Sequence, residues 1–473
     1  MQKTKMVFTI GPSSESEETL CKLIETGMSA ARLNFSHGTH EEHKTKMDLI
    51  KKLRQKYNKH IAIIMDIKGP KIRTHNFKGD KVQLLKGSNF TILCGEEILG
   101  DENQCSISYS ELYKDVTVGN KLLVDDGLLE LTVESIEGKK IHCIADNTGF
   151  IENHKGINVP NVSVSIPAIT DKDKEDLIFG CKMDIDIVAA SFIRKPDDVL
   201  SIRKILESNG GEHIKIISKI ENHEGINNID EIIKVSDGIM VARGDMGVEV
   251  PLEQVPLIQK MIIKKCNKAG KPVITATQML DSMIRNPRPT RAEATDIYNA
   301  IFDGTDAIML SGESANGAYP VDAAQTMAKI AQTAESNIDY TYRLNKKKKS
   351  NITTISDAIS LSTCITADEL NASAIIAYTQ SGSTAKIVSK HRPECPIIAV
   401  TPNEKVARSL ALNWGVTCLL SDNIGSTDEL IEESIKKLLE AKYVKKGDLV
   451  VIAAGVPIHH SGTTNMLKVE IIK

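Results

Sequence analysis

The 473-residue sequence predicts an α/β protein: a (β/α)8 TIM barrel with an inserted all-β domain and a C-terminal α/β domain. Three observations carry this. Apolar Val/Ile/Ala-rich runs, each followed by a helix-like stretch, recur eight times; strands of that kind alternating with helices imply a parallel, doubly covered sheet with right-handed crossovers. The rhythm breaks once, from about Gly69 to about Pro167, into short strands and tight turns. Beyond the lysine run NKKKKS it resumes as a separate α/β pattern. A chain this long exceeds one ordinary core, so two or three domains are expected.

KMVFTI reads as the first strand, Glu17 to Thr26 as an amphipathic helix, MSAARLNF as the second strand, His40 to Tyr57 as a charged helix and IAIIMDI as the third strand. Within the insert, Asp126-Gly127 and Glu137-Gly138 fall where hairpin turns need residues tolerant of positive φ. IDIVAASFI, HIKIISKI, DGIMVARG, KPVITATQ and TDAIMLSG supply five more strands, completing eight. An open doubly wound sheet is disfavoured by eight units and by the lack of a G-x-G-x-x-G turn. The expected division is 1–69 for the first part of the barrel, 70–166 for an inserted β-barrel lid domain, 167–344 for the rest of the barrel and 345–473 for the C-terminal regulatory domain. NKKKKS reads as a solvated linker. After it come a helix around Asp357 to Leu370 and strands SAIIAY, PIIAV, DLVVIAA and MLKVEII.

Composition narrows the function classes. Apolar residues at 41% and charged residues at 26% suit a soluble globular protein. A formal charge of -3 leaves no polyanion footprint, and 4% aromatics with Trp414 as sole tryptophan leave no stacking platform, so nucleic acid is not expected as a partner. No run is long enough for a membrane span or a signal peptide. The nine cysteines are scattered without a C-x-x-C pair and read as reduced thiols, which places the chain in the cytoplasm.

In such barrels chemistry sits at the C-terminal ends of the strands. The stretch KIISKIENHEG places Lys219 and Glu221 two residues apart, on one face of the fifth strand's end. Taken alone, such a pair is more often a structural ion pair. The other ends add to it: Arg32, Asn34 and Ser36 share one parity on the second strand, and the third ends at Asp66. The sixth ends at Arg243, Gly244 and Asp245, the seventh at Thr275 and Thr277, the eighth at Ser311 and Glu313. A single Asn or Thr at a strand end usually satisfies backbone groups, but carboxylates, cations and hydroxyls converging on one mouth are hard to explain as packing. Glu221 and Asp245 offer hard oxygen ligands without His or Cys, which selects Mg2+ or Mn2+ over zinc. Lys219, Arg32 and Arg73 supply charge for phosphate oxygens, the requirement of phosphoryl transfer.

The strings TIGPSS, ARLNFSHG, MDIKGPKIRT, SKIENHEG, VARGDMGVEV, ITATQML, PRPTRAEATDIYNAIFDGTDAIMLSGESANGAYP and SGTTN resemble, in order and along the whole chain, the pyruvate kinase family. The resemblance implies phosphoryl transfer from phosphoenolpyruvate to ADP, giving pyruvate and ATP, with closure of the β insert excluding water. It implies that Arg32 contacts the substrate phosphate and Lys219 neutralises the phosphoryl group in flight. Glu221 and Asp245 would hold Mg2+ (or Mn2+), and the backbone N–H groups of Gly244 and Asp245, with Thr277, would hold the substrate carboxylate. Water near Thr277 and Ser311 would protonate the enolate. Asn34, His37, Arg73 and Lys155 would bind nucleotide.

The family's monovalent-cation site corresponds to Asn34, Ser36, Asp66 and the carbonyl of Ile67. K+-requiring members tend to carry Glu in the GPxIR motif, where this chain has Lys71, whose ammonium could stand in for K+ beside Asp66. Lys68 and Thr74 match the K+-requiring group, Ile67 and Lys71 the other; weak or absent K+ dependence is expected. Thr379, Ser381, Gly382, Ser383 and Thr384 resemble the effector phosphate loop, with Gln380 and Ser383 where bisphosphate-activated relatives often have basic residues, so a monophosphate such as AMP or a sugar monophosphate is expected. The family suggests a homotetramer, and the further C-terminal domain of some bacterial relatives is not expected here. A Mg2+-dependent barrel lyase or aldolase acting on pyruvate or oxaloacetate is the competing reading; it has no need of the insert, Lys219 or Arg73.

Overall fold

Eight parallel strands close into a barrel: β1 (Lys5–Thr9), β2 (Met28–Asn34), β3 (Ala62–Asp66), β4 (Ile187–Ala190), β5 (Lys215–Ile220), β6 (Gly238–Ala242), β7 (Val273–Ala276) and β8 (Ala307–Leu310). β8 pairs back onto β1 with Ala307 beside Lys5. The computed structural model describes residues 2–348, 354–422, 425–457 and 463–473. Alternation sorts each strand. Ala30, Ala62, Ile64, Ile217 and Met240 fill the barrel interior, while Leu33, Met65 and Ile216 join the larger cluster under the helices.

The first helices stop and start where local chemistry dictates. α1 (Glu17–Thr26) begins at Ser16, whose side chain accepts the Thr19 N–H, and ends at Gly27 with φ 115°. α2 (His40–Tyr57) begins with a capping box formed by Thr39 and Glu42. Both helices lie where the sequence predicts them.

The insert folds around its own apolar cluster, which includes Phe90, Leu122, Val133 and Ile141. It forms a seven-stranded and a two-stranded sheet. Both predicted hairpins are present: Lys121–Val124 pairs with Leu129–Glu137, and that strand pairs with Lys140–Ala145. Asp125, Asp126, Gly127 and Gly138 take positive φ at the turns. Two crossings connect the insert to the barrel, Ile72–Arg73 and Gly156–Asn158, and these pair antiparallel with each other.

The C-terminal unit carries a five-stranded sheet made of β9 (Ala374–Tyr378), β10 (Ile397–Thr401), β11 (Val416–Leu420), β12 (Leu449–Ala454) and β13 (Met466–Ile471), in the order β11-β10-β9-β12-β13. The sequence reading finds four of these and misses β11, an edge strand buried mostly in part. Lys346–Lys348 also departs from expectation. These residues form the last turn of the helix Tyr340–Lys348, not a solvated linker. Cations in a last turn complement the helix dipole, and Lys347 donates to the carbonyl of Lys390. Lys349 and Ser350, and Ser461 and Gly462 of the SGTTN string, lie outside the described residues.

The C-terminal unit is docked on the barrel end opposite the strand C-termini. Asp186 accepts from Arg54 Nη2 at 2.5 Å and from Arg408 Nε at 2.6 Å, and Arg392 Nη2 lies 3.0 Å from Asp306 Oδ1. Between these ion pairs Leu412, 1% exposed, enters the barrel's interior cluster and closes its floor.

Candidate active site

Interior parity carries Arg32, Asp66 and Lys219 to the barrel mouth above Ala30, Ile64 and Ile217. They meet on one carboxylate. Arg32 Nε donates to Asp66 Oδ2 at 2.6 Å, and Lys219 Nζ lies 3.2 Å from Asp66 Oδ1. Lys219 Nζ also donates to Ser191 Oγ at 2.7 Å and lies 3.1 Å from Glu221 Oε1. Arg32 Nη1 donates to Thr9 Oγ1 at 2.9 Å. The result is a continuous chain, Arg32–Asp66–Lys219–Glu221, across four barrel strands' worth of mouth.

The charges in this chain hold one another. Burial alone would push the Lys219 ammonium down, but Asp66 and Glu221 outweigh it and hold the group above its ordinary value. Burial likewise opposes ionisation of Asp66, and Arg32 and Lys219 overcome it, keeping that carboxyl below the usual range. Glu221 is different: burial dominates, Lys219 offsets part of it, nearby Asp245 adds repulsion, and the carboxyl is raised. Glu221 Oε2 accepts the Phe192 N–H at 2.5 Å, while its buried Oε1 accepts no hydrogen bond and has only the Lys219 ammonium beside it. A buried carboxylate oxygen turned to the mouth beside a second carboxylate is a fitting ligand for a hard cation. Among the described residues no group of three or more His, Cys, Asp or Glu could hold a metal, so such an ion would take further ligands from substrate and water.

Asp245 sits in the short helix Arg243–Glu249. Lys71, from the insert's first crossing, reaches it at 3.2 Å and Asp126 at 3.4 Å. This corrects the expectation for Lys71: its ammonium pairs with Asp245, not with Asp66, whose oxygens are taken by Arg32 and Lys219. The pairing also shows the insert touching the mouth.

Thr277 has φ 67° and its Oγ1 accepts the Gly244 N–H at 2.8 Å, which joins the ends of β6 and β7. Arg243 belongs to the same brace, donating to the carbonyls of Ala276 at 3.2 Å and Thr277 at 2.5 Å, with Asp296 at 2.5 Å. Thr275 has the parity opposite to Ile274 and Ala276 of the barrel interior; it faces away from the mouth and donates to Thr305 Oγ1 at 2.9 Å. Glu313, 1% exposed, accepts the N–H groups of Leu280 at 3.0 Å and Ser311 at 2.7 Å. It satisfies backbone, and so leaves the set of mouth-facing groups.

Asn34 Oδ1 accepts the Ser36 N–H at 3.1 Å, and the Ile67 carbonyl accepts from Ser191 Oγ at 2.7 Å. His37 is exposed. Arg73 and Lys155 sit on the two crossings of the insert: Arg73 Nη1 donates to the His154 carbonyl at 2.8 Å, and Lys155 Nζ lies 2.9 Å from Asp125 and 3.4 Å from Glu152. Two mouth residues escape the sequence reading, Ser191 and Thr9. Both follow from strand parity, as Ser191 is two residues past interior Ala189 and Thr9 two past interior Val7.

In the C-terminal unit, Thr379 Oγ1 accepts the Gly382 N–H at 2.9 Å, and Gly382, with φ 86°, starts the helix Ser383–His391. Thr384 Oγ1 lies 3.0 Å from Thr464 Oγ1. Ser381 and Ser383 lie on the same turn, which has the form of an anion-accepting helix start.

Comparison with known proteins agrees with this geometry. The pyruvate kinase barrel-domain family model matches residues 1–324, and the pyruvate kinase alpha/beta-domain model matches residues 357–470. A pyruvate kinase of Clostridium acetobutylicum is 66% identical, covering 100% of both chains. One of Clostridium perfringens is 61% identical over 99% of this chain and 100% of its own. The crystal structure of a pyruvate kinase from Cryptosporidium parvum superposes with a TM-score of 0.95 at 40% identity, covering 100% of this chain and 96% of that one. With both family models matched in chain order and relatives this similar from end to end, the chain belongs to the pyruvate kinase family.

Proposed function

We propose that this chain transfers the phosphoryl group of phosphoenolpyruvate to ADP at the barrel mouth, giving pyruvate and ATP, with Lys219 meeting the group in flight. One observation carries the role: the Lys219 ammonium is fixed between Asp66 and Glu221, at 3.2 and 3.1 Å, on a buried strand end. A preorganised charge of this kind stabilises developing negative charge without reorganisation. The experiment is direct: pyruvate formation from phosphoenolpyruvate must require ADP. Pyruvate released at the same rate without ADP would overturn it. The lyase or aldolase alternative is not supported, since the family's reaction is phosphotransfer.

Arg32 would bind the substrate phosphate beside Lys219. Glu221 and Asp245 would hold the divalent ion, with Mg2+ or Mn2+ favoured over zinc by the all-oxygen donor set. When bound, that ion neutralises substrate oxygens and fixes their orientation. The N–H groups of Gly244 and Asp245 with Thr277 would orient the substrate carboxylate, and Asn34, His37, Arg73 and Lys155 would receive nucleotide as the insert closes and excludes water. Separate apolar clusters in the barrel and the insert support division near 69/70 and 166/167. At the last boundary Tyr340 packs with the barrel and Leu344 with the C-terminal unit, so one helix serves both.

Turnover is expected to depend weakly or not at all on K+ at Asn34, Ser36, Asp66 and Ile67. The physical reason is charge: both oxygens of Asp66 already face cations, Arg32 at 2.6 Å and Lys219 at 3.2 Å, so a further cation on that carboxylate meets like charge. Equal rates in K+ and in tetramethylammonium buffers are the expected result, and tenfold stimulation by K+ would refute it.

The Thr379–Thr384 loop is proposed to bind a monophosphate effector such as AMP or a sugar monophosphate. Lys386 is the one basic residue of the 379–386 segment, and it is half-buried toward Lys215, Asp237 and Lys271 of the barrel, with desolvation pushing it down to about 8. The loop therefore offers hydroxyls and backbone N–H groups to one phosphate and no cation to a second. Calorimetric titration should show AMP or ribose 5-phosphate binding more tightly than fructose 1,6-bisphosphate; the reverse order would overturn the proposal. A homotetramer is proposed as the assembly, to be read by sedimentation velocity.

A further inference from the structure

A cavity of about 350 Å³ lies where the insert leaves and rejoins the barrel. Pro70–Ile72 and the returning segment Ile157–Ile166 form its walls, and the loops after β4, β5 and β6 close it with Arg194, Glu224 and Glu249. Arg32, Asp66, Lys219 and Glu221 do not line it.

The charged groups of this cavity are unevenly matched. Its two cations are paired. Arg194 Nη1 donates to the Val164 carbonyl at 2.5 Å and Nη2 to that of Ile166 at 2.8 Å, while Nε makes no hydrogen bond and faces Asp198 at 3.6 Å. Lys71 is held by Asp245 and Asp126. Its two carboxylates have no cation and keep acceptor positions open. Glu249 accepts one hydrogen bond, from Asn158 Nδ2 at 2.7 Å, and Glu224 accepts one, from Ser163 Oγ at 2.9 Å. A carboxylate has room for about four. Asn158 is 5% exposed, lines the cavity, and its buried Oδ1 receives no hydrogen bond. Buried acceptors are almost always satisfied, so a group left without a donor points to a partner that supplies one.

We propose that this hinge cavity binds a small organic cation, a primary ammonium carried on a compact apolar body. An ammonium has three donors and no acceptor, matching the open positions on Glu249, Glu224 and Asn158 Oδ1. Ile157, Val159, Val162 and Phe192 offer the apolar wall for the rest of the molecule. The volume suits a ligand of modest size. Because both crossings of the insert line the cavity, its occupant touches the two segments on which the insert turns.

The proposal is independent of the reaction assigned above: phosphotransfer can be intact in a protein that binds no amine here. The test uses the full chain with cyclohexylamine as probe and cyclohexanol as its neutral counterpart, followed by saturation-transfer NMR and calorimetry. Saturable millimolar binding of the amine is expected, with the alcohol weaker by about tenfold or more, because charge-assisted hydrogen bonds are roughly twice as strong as neutral ones. Glu249→Gln and Glu224→Gln should each weaken the amine by about tenfold at unchanged Trp414 fluorescence. Equal affinity for amine and alcohol, undiminished affinity in both variants, or no saturable amine binding would each overturn it. The amine–alcohol comparison on the unaltered chain decides the matter even if a variant fails to fold.

Discussion

Lys219→Met is expected to lower kcat by about 10³-fold or more, a loss of about 4 kcal/mol in transition-state stabilisation. Methionine keeps the length of the side chain and its packing above Ile217, so the change isolates the charge. The ammonium is the one cation held between Asp66 and Glu221, and no neighbouring group replaces it there. Arg32 approaches Asp66 from the other oxygen and is itself bound to Thr9. Divalent-ion binding should survive, since the carboxylates of Glu221 and Asp245 remain; electron paramagnetic resonance of added Mn2+ would measure it. A kcat near that of the unaltered enzyme would refute the role given to Lys219. Lost activity together with lost ion binding would instead assign the residue to holding Glu221.

Asp66→Asn should be the most destabilising single change at the mouth. The carboxylate is 2% exposed and neutralises two cations, Arg32 at 2.6 Å and Lys219 at 3.2 Å. Removing one partner from a buried ion pair typically costs about 3 to 5 kcal/mol, because the remaining charge stays buried without compensation. Two cations stand to be exposed to one another here. Denaturant unfolding followed by the fluorescence of Trp414, which is buried in the barrel's outer cluster, reads this directly. A second substitution, Lys219→Met, should recover part of the loss by removing one stranded charge, whereas simple additivity would show that the two residues do not interact. The pH dependence has a definite sign. Asp66 is held below its ordinary value, since Arg32 and Lys219 outweigh burial. Its contribution is therefore present above the ordinary carboxylate range and lost as pH falls through the depressed folded value; the Asn variant should lack that acid-side decline.

Much of the barrel was legible because its strands obey a short-range rule. Ala30, Arg32 and Asn34 alternate with Ala31 and Leu33, and the same period of two turns Lys219 toward the mouth. Hairpins in the insert were legible for a similar local reason, the positive φ demanded at Gly127 and Gly138. What escaped depends on distance in the chain or on context. Glu221 and Glu313 are both carboxylates just beyond a strand, yet one keeps an oxygen without a hydrogen-bond donor while the other is consumed by two backbone N–H groups. Residue type is the same in both cases, but Glu221 directly follows Ile220 at its strand's end while Glu313 lies three residues beyond Leu310, and the neighbouring loops differ. The partner of Lys71 lies 174 residues away, on the opposite side of the insert's hinge, and nothing local announces it. Ser191 was hidden in an apolar run where one hydroxyl draws no notice. The strand Val416–Leu420 was hidden because an edge position with partial burial leaves only a weak apolar signal.

Leu412 gives the C-terminal unit a second meaning. A leucine from that unit belongs to the same interior cluster as Ala30, Ala62 and Ile187 of the barrel, so the catalytic scaffold does not own all of its core. Deleting the C-terminal unit would open the barrel floor to water and strand Asp186 and Asp306 without Arg408 and Arg392. Gly382, at the start of the helix Ser383–His391, packs near Leu410 and Val406, close enough that a Cβ there would meet them at 3.3 and 3.5 Å. Leu410 is two residues from the leucine in the floor. The segment that would sense a phosphate and the residue that seals the barrel are thus parts of one short piece of chain, and a gene encoding the barrel alone would specify an unsealed vessel.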